Sequence, residues 1–247
     1  LFLALGLFQL VARDARGRWA ARSGLAFGLA ALVRPTTAVF GVAALFHLWR
    51  HDRSAAPRFV AWSVPAIVLF AAYDLAAFGS FLTPYYGPRD SGAVVLGALG
   101  NLVSPSRGLF VYSPFLALGA YELVRRALGR GAVAAILRPQ LVALLVVFIV
   151  YSSYIEWWGG HSYGNRYLAE ALPLLMLGTA LWARRQRRRR AAFAALAVGG
   201  AVGIGIAALG ATSYDWTTWS WESVAAAPGF MWRLDVAQPV FTATHAA

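Results

Sequence analysis

The sequence predicts an all-α membrane protein, a polytopic bundle of transmembrane helices joined by loops on both sides of the bilayer. Of the 247 residues, 60% are hydrophobic and only 13% are charged, with a mean hydropathy of +0.59. Soluble domains are about half apolar and about a quarter charged. The apolar residues form runs close to the length of about 20 residues that crosses a bilayer. The alternating segments of about 10 residues that indicate a membrane β-barrel are absent from the sequence.

We expect the whole chain, 1–247, to be one transmembrane domain. Because Leu1 already lies in an apolar run and no start methionine or signal sequence precedes it, we expect a fragment that lacks an N-terminal part. A longer loop at 80–108 and a Trp-rich tail at 212–247 complete the chain. The predicted spans are 1–11, 59–79, 109–124, 139–155, 171–183 and 191–211, with a helical hairpin at 23–49.

The basic residues predict the topology. All 22 are arginine, and 17 of them lie in four clusters between apolar runs. Basic loops stay in the cytoplasm, so the loops 80–108 and 156–170 and the tail are expected on the extracytoplasmic side. This arrangement accounts for the net charge of +12 without any binding to nucleic acid. The four clusters are 12–22, 50–58, 125–138 and 184–190.

The stretch 23–49 has basic clusters at both ends, so it must enter and leave the membrane on the same side. Each half is shorter than a full span of about 20 residues, which predicts a re-entrant hairpin with Arg34-Pro35 at its tip. Proline cannot continue a helix but starts one well. A charge within the membrane is costly and marks a functional site by default. The alternative is an arginine that snorkels to the outer interface.

Residues 156–167 combine two tryptophans, two tyrosines, three glycines, a histidine, an arginine and a glutamate in twelve positions. A connector between helices does not need this mixture, so we expect one wall of an extracytoplasmic site. Arginine suits the anionic head of a lipid because guanidinium binds phosphate bidentately. Aromatic rings suit either a sugar face or the membrane interface. The predicted sugar or acceptor cavity consists of Tyr85, Tyr86, Glu156, Trp157, Trp158, His161, Tyr163 and Tyr167.

Several kinds of chemistry are excluded or disfavoured. The chain has no cysteine, so disulfides, thiolate catalysis and cysteine-metal sites do not occur. No catalytic triad, P-loop or dinucleotide motif is present. His161 is either a general base or a hydrogen-bonded structural residue, and a lone histidine favours the second interpretation. We predict no metal site and no cofactor, although the sequence leaves room for a divalent metal.

Four stretches resemble one family, the bacterial GT-C membrane glycosyltransferases of the protein-mannosyltransferase and aminoarabinose-transferase kind. They are 32–36 (LVRPT), 73–80 (YDLAAFGS), 104–114 (SPSRGLFVYSP) and 157–168 (WWGGHSYGNRYL). They occur in the family's order and cover most of the chain. Departures from the family pattern, which leave the sugar and acceptor open, are Asp74, Ala77, His161 and Asn165.

The resemblance implies transfer of a sugar from a polyprenyl-phosphate donor to a glycan, lipid or protein acceptor outside the cytoplasm, in a bacterial inner membrane. It also implies that Arg34, Arg107, Tyr112 and Arg166 surround the lipid phosphate. In this family the general base is an acidic residue in the first external loop. That loop would precede Leu1, so no catalytic residue is expected within this chain. The alternatives are a transporter or flippase for lipid-linked sugars, a polymerase-type envelope protein, or a membrane scaffold without catalysis.

Overall fold

The computed structural model describes residues 1–12, 18–81, 92–160, 162–214 and 228–245. Within these ranges the chain forms helices and turns and no β-strand, so the prediction of an all-α protein is confirmed. Three of the described helices are long and apolar enough to cross a membrane. They are Ala56–Phe78, Ala132–Ser152 and Arg190–Ser213.

The described α-helices are numbered here in chain order. They are α1 (Phe2–Ala12), α2 (Trp19–Val33), α3 (Ala38–His51), α4 (Ala56–Phe78), α5 (Val94–Val103), α6 (Leu109–Tyr112), α7 (Leu116–Leu128), α8 (Ala132–Ser152), α9 (Leu172–Gln186), α10 (Arg190–Ser213) and α11 (Gln238–Thr244). Short 3₁₀ turns lie at Pro35–Thr37, Arg166–Glu170 and Pro228–Trp232.

The helices differ from the predicted spans in three places. The predicted loop 80–108 contains α5, a short helix that was missed because it contains two glycines and has prolines on either side of it in the sequence. The predicted span 109–124 is divided into α6 and α7 at Ser113-Pro114, because proline lacks the N–H that would continue the hydrogen-bond ladder. The predicted span 139–155 begins earlier, since α8 starts at Ala132 and continues through Pro139.

The chain divides into two compact units, residues 1–89 with 124–147 and residues 90–123 with 148–247. In the first unit, glycines allow α1, α2 and α4 to pack at close range. A Cβ on Gly24 would lie 2.1 Å from the carbonyl oxygen of Phe59, so only glycine fits. Ser23 donates to the carbonyl oxygen of Gly6 at 2.9 Å. Close approach through small residues is how helices associate when hydrophobic burial offers little driving force.

The predicted break at Arg34-Pro35 is present between α2 and α3. Arg34 ends α2 with an extended backbone, φ −143°, and Pro35 begins the 3₁₀ turn. The carbonyl oxygen of Arg34 accepts from the amide of Thr37 at 2.9 Å and from its hydroxyl at 2.8 Å. The prediction of a helix–break–helix is therefore confirmed, and its placement inside a membrane remains a prediction.

In the second unit, α7 and α9 cross at a pair of glycines. A Cβ on Gly178 would lie 2.3 Å from the carbonyl oxygen of Gly119. Glu122, which is fully buried, pairs with Arg185 at 3.1 Å. The helix α10 uses Gly199 and Gly203 against the chain at 112–115. Glycine at these two positions therefore allows α10 to pack closely against this segment.

Candidate functional site

The candidate site is built on the loop that leaves α8 and ends in the 3₁₀ turn before α9. Three glycines in it, Gly159, Gly160 and Gly164, have positive φ angles of 83°, 76° and 68°. Residues with a side chain rarely adopt this conformation, so these glycines bend the loop tightly. The bends turn backbone carbonyl groups inward, where side chains from other elements bind them.

Arg107, in the turn between α5 and α6, holds the centre of this loop. Its side chain is completely buried. The guanidinium donates to the carbonyl oxygens of Gly164 at 2.6 Å and Gly160 at 2.9 Å, and also to that of Ser162. The planar guanidinium with five donors suits several acceptors at once. Arg107 therefore fixes the path of the loop.

The burial of Arg107 has an electrostatic cost. Its pKa is lowered to about 10, chiefly because burial removes the charge from water; Tyr112 and Tyr214 act in the opposite direction, and the nearby positive charge of Arg166 contributes to the lowering. The group remains charged at neutral pH. Because a buried charge must be paired or hydrogen-bonded, the loop carbonyl groups and the guanidinium stabilise each other.

A chain of amide groups fixes the next part of the loop. Asn165 donates to the side-chain oxygen of Asn101 on α5, and Asn101 donates to Ser152 at 3.1 Å. The other atom of the Asn165 amide, its oxygen, accepts from the backbone N–H of Tyr167 at 2.9 Å. Asn165 thus caps the 3₁₀ turn Arg166–Glu170 and sets the direction in which Arg166 leaves the backbone.

Gln238, at the start of α11, closes the loop from the C-terminal side. Its side chain is fully buried, and its oxygen accepts from the amide of Gly164 at 2.8 Å and from the hydroxyl of Tyr112 at 2.9 Å. Its nitrogen donates to the carbonyl oxygen of Ser162 at 3.3 Å. The tail segment is therefore part of the site's framework.

Aromatic rings pack around both ends of the loop. Tyr167 stacks on Tyr151 with ring centres 4.6 Å apart, and the hydroxyl of Tyr151 donates to Glu170 at 3.0 Å. Tyr163 lies edge to face with Tyr112 at 5.5 Å. Burial raises the pKa of Tyr163 to about 12. These contacts make the loop a packed structure.

Arg166 is the exposed cation of this arrangement. Its guanidinium carbon lies 5.8 Å from the centre of the Tyr167 ring, within the range of a cation–π contact. The glycines beside it have no side chains to cover it, and a Cβ on Gly160 would lie only 3.5 Å from its Nη2. The guanidinium of Arg166 therefore lies at the surface of the loop, whereas that of Arg107 is buried beneath it.

The two tryptophans occupy the core of this unit. Trp157 and Trp158 are each 3% exposed and pack with Met231, with Tyr214, Phe230, Trp232 and Phe241 around them. A Cβ on Gly100 would lie 2.2 Å from the Trp157 ring, so the ring faces are occupied by protein. Their contact with a sugar stays a prediction. In this conformation both rings belong to the hydrophobic core on which the loop packs.

The structure brings most of the predicted site residues into this unit. Arg107 and Tyr112, predicted beside a lipid phosphate, bind the loop and the tail here, which favours positioning roles. Glu156 is partly exposed at the first turn of the loop. Arg34 belongs to the other unit, and its role stays a prediction. Three predicted residues lie outside the described ranges: Tyr85, Tyr86 and His161.

Sequence reasoning missed Ser152 and Gln238 as parts of the site. Each is a polar residue in an apolar segment and is fully buried. Buried polar groups need hydrogen-bond partners, so an isolated polar residue in an apolar segment was the available signal. The partners themselves lie too far away in sequence to be identified from it.

The described residues include no group of three or more His, Asp or Glu side chains able to hold a metal ion. Comparison with known proteins found no matching family model, no similar curated protein and no similar solved structure.

Proposed function

We propose that the protein is a membrane glycosyltransferase that transfers a sugar from a polyprenyl-phosphate donor to an extracytoplasmic acceptor. The observation that carries the proposal is the exposed Arg166 on a loop held rigidly by the buried Arg107. A second argument is the resemblance of four sequence stretches to GT-C enzymes. The proposed setting is the bacterial cytoplasmic membrane.

The proposed ligand of Arg166 is the phosphate of the donor. A guanidinium binds phosphate through two parallel hydrogen bonds, and such charge-assisted bonds are stronger than neutral ones. The nearby charge of Arg107, which is not cancelled by its carbonyl partners, adds to the positive potential at this place. Because the hydrogen bonds of Arg107 and Gln238 already hold the loop backbone in place, binding at Arg166 costs little ordering of the loop. These properties favour an anionic ligand over a neutral sugar at Arg166.

The proposed topology places this loop outside the cytoplasm. In this proposal α4, α8 and α10, which are long and apolar enough to cross a membrane, span the bilayer. The arginine clusters near 50–58, 125–138 and 184–190 stay inside. The stretch 23–49 forms a re-entrant hairpin with Arg34 at its tip. In this arrangement the loop 156–170 lies at the outer membrane surface, where a polyprenyl phosphate would present its head group.

The proposed reaction is a single displacement. The acceptor oxygen attacks the anomeric carbon, the bond from that carbon to the phosphate oxygen breaks, and polyprenyl phosphate leaves with the bonding electrons. A carboxylate takes the acceptor's proton as the new bond forms. Arg166 stabilises the negative charge that develops on the phosphate.

The test is sugar transfer by membranes that contain the full-length protein. Radiolabelled polyprenyl-phosphate mannose, glucose and aminoarabinose serve as donors, and membranes without the protein show the background. With the donor that is used, Arg166→Gln should lower transfer by about a hundredfold, as loss of a charge-stabilising donor does. Arg233→Gln is the matched control, because Arg233 is exposed and pairs with Asp235 two residues away.

Two outcomes would contradict the proposal. Equal transfer by Arg166→Gln and the wild type, at equal protein level, would remove Arg166 from the site. No transfer from any donor, together with movement of the lipid-linked sugar between leaflets, would show a transporter.

A further inference from the structure

A separate cavity of about 360 Å³ lies in the first unit, far in sequence from the loop 156–170. Its volume falls in the range of small-ligand sites. Three of its six lining residues are basic. None is acidic, and Asp52, which follows the lining residue His51 in the sequence, does not line the cavity. The lining residues are His51, Arg130, Gly131, Ala132, Ala135 and Arg138.

Arg138 is held in place at the wall of this cavity. Its Nε donates to the carbonyl oxygen of Ala127 at 2.8 Å, and its Nη2 donates to that of Gly129 at 2.7 Å. Both acceptors lie at the C-terminal end of α7, where helix carbonyl groups lack partners within the helix. A guanidinium has five N–H donors, so this anchored side chain retains donors for a ligand.

The other two basic side chains come from the ends of neighbouring segments. His51 ends α3, and its ring lies 4.8 Å from the ring of His47. His47 is itself fixed, since its Nδ1 is 3.0 Å from the carbonyl oxygen of Ala135. Arg130 precedes Gly131, whose φ of 104° turns the chain into α8. The first turn of α8 thus adds its dipole to the positive charge around the cavity.

The position of the cavity indicates the kind of anion. It lies at the first turn of α8, one of the three helices long and apolar enough to cross a membrane. Large apolar side chains at the ends of the adjoining helices are exposed, among them Trp49 at 60% and Leu128 at 80%. Exposed aromatic and apolar groups beside arginines are typical of the membrane interface. An anion at this level belongs to a lipid.

We propose that this cavity binds the phosphate of an anionic phospholipid head group, with Arg138, Arg130 and His51 around it. The site is independent of the proposed transferase function, because it uses neither the loop 156–170 nor Arg166. Basic pockets between membrane helices are known to hold such head groups. The lipid would hold together the ends of α3, α7 and α8.

The test measures binding of phosphatidylglycerol to the protein in a neutral detergent, from the rise in melting temperature as the lipid is added. Arg130→Gln is the main variant, because Arg130 is exposed and the substitution disturbs no contact within the described residues. It should weaken phosphatidylglycerol binding about tenfold, the loss of one charge-assisted contact. The double variant His51→Gln/Arg130→Gln should weaken it further. Diacylglycerol, which has the same acyl chains but no phosphate, should bind equally to all.

The control is Arg58→Gln, which removes the same charge from an exposed position outside the cavity. If Arg58→Gln weakens binding as much as Arg130→Gln does, the lipid is attracted by overall charge and the proposal is wrong. Inorganic phosphate is titrated in parallel. If phosphate binding depends on Arg130 while phosphatidylglycerol binding does not, the cavity takes a soluble phosphate and the lipid assignment is overturned.

Discussion

Arg107 donates a hydrogen bond to the carbonyl oxygen of Gly164 at 2.6 Å, across 57 residues of chain. The same guanidinium binds Gly160 and Ser162, so it takes three carbonyl groups at alternate positions of one loop. Arg166 extends from this loop at the protein surface. Arg107 therefore holds the loop in shape, and Arg166 lies exposed on it. We expect substitution of Arg107 to lower the stability of the protein and substitution of Arg166 to weaken ligand binding.

The first prediction concerns the stability that Arg107 provides. Arg107→Lys keeps the charge but cannot reach three carbonyl groups, so buried acceptors lose their partners. We expect the free energy of unfolding to fall by about 3 kcal/mol, measured by denaturant titration in detergent. Arg233→Lys, at a fully exposed ion pair, should leave it nearly unchanged. Equal stability of the two variants would show that the Arg107 bonds contribute little.

The second prediction compares two glycines in helices. Gly24→Ala would place a methyl group 2.1 Å from the backbone oxygen of Phe59, which forces α2 and α4 apart. We expect a loss of about 2 kcal/mol in the free energy of unfolding. Gly200→Ala on α10 meets nothing within 4 Å and should be neutral or gain about 0.5 kcal/mol. A neutral Gly24→Ala would contradict the close packing of these helices.

The third prediction concerns Tyr163 at high pH. Burial raises its pKa to about 12, whereas an unfolded tyrosine titrates near about 10. The unfolded chain therefore loses this proton first, and the stability that Tyr163 contributes is present below about pH 10 and lost as pH rises toward 12. The unfolding free energy of the wild type relative to Tyr163→Phe should fall over this window. A difference that stays constant there would contradict the burial of the phenol.

The fourth prediction tests the topology. Because the chain contains no cysteine, single cysteines report their own positions. Arg18→Cys and Ser54→Cys flank the hairpin at exposed sites, and Ala169→Cys lies in the exposed part of the 3₁₀ turn after the loop. With a membrane-impermeant maleimide on intact cells, only Ala169→Cys should react. If the cysteines at positions 18 and 54 lie on opposite sides of the membrane, the re-entrant hairpin and the orientation that depends on it are wrong.

Much of the fold followed from composition because long apolar runs have few alternatives to a helix. The spans that became α4 and α10 were predicted within a few residues, and so was the break at Arg34. The helix α5 was missed because its glycines resemble those of a loop. The division at Ser113-Pro114 was missed because the flanking apolar residues form one continuous run.

The composition of residues 156–167 indicated that this loop differs from a simple connector, but it did not indicate which contacts its residues make. That the loop forms one wall of a site stays a prediction. Whether Trp157 faces a ligand or the core depends on Gly100 and on other elements that pack against it, and sequence does not show such contacts. The same holds for Gln238, which binds Gly164 from 74 residues away. Tertiary hydrogen bonds at this separation leave no local pattern.

The most direct test of the central claim is calorimetric binding of farnesyl phosphate, a short polyprenyl phosphate, with farnesol as the ligand that lacks phosphate. We predict that Arg166→Gln weakens farnesyl phosphate binding at least about tenfold and leaves farnesol binding unchanged. Equal affinity of the wild type and Arg166→Gln for farnesyl phosphate would contradict the claim that the loop presents Arg166 to a lipid phosphate.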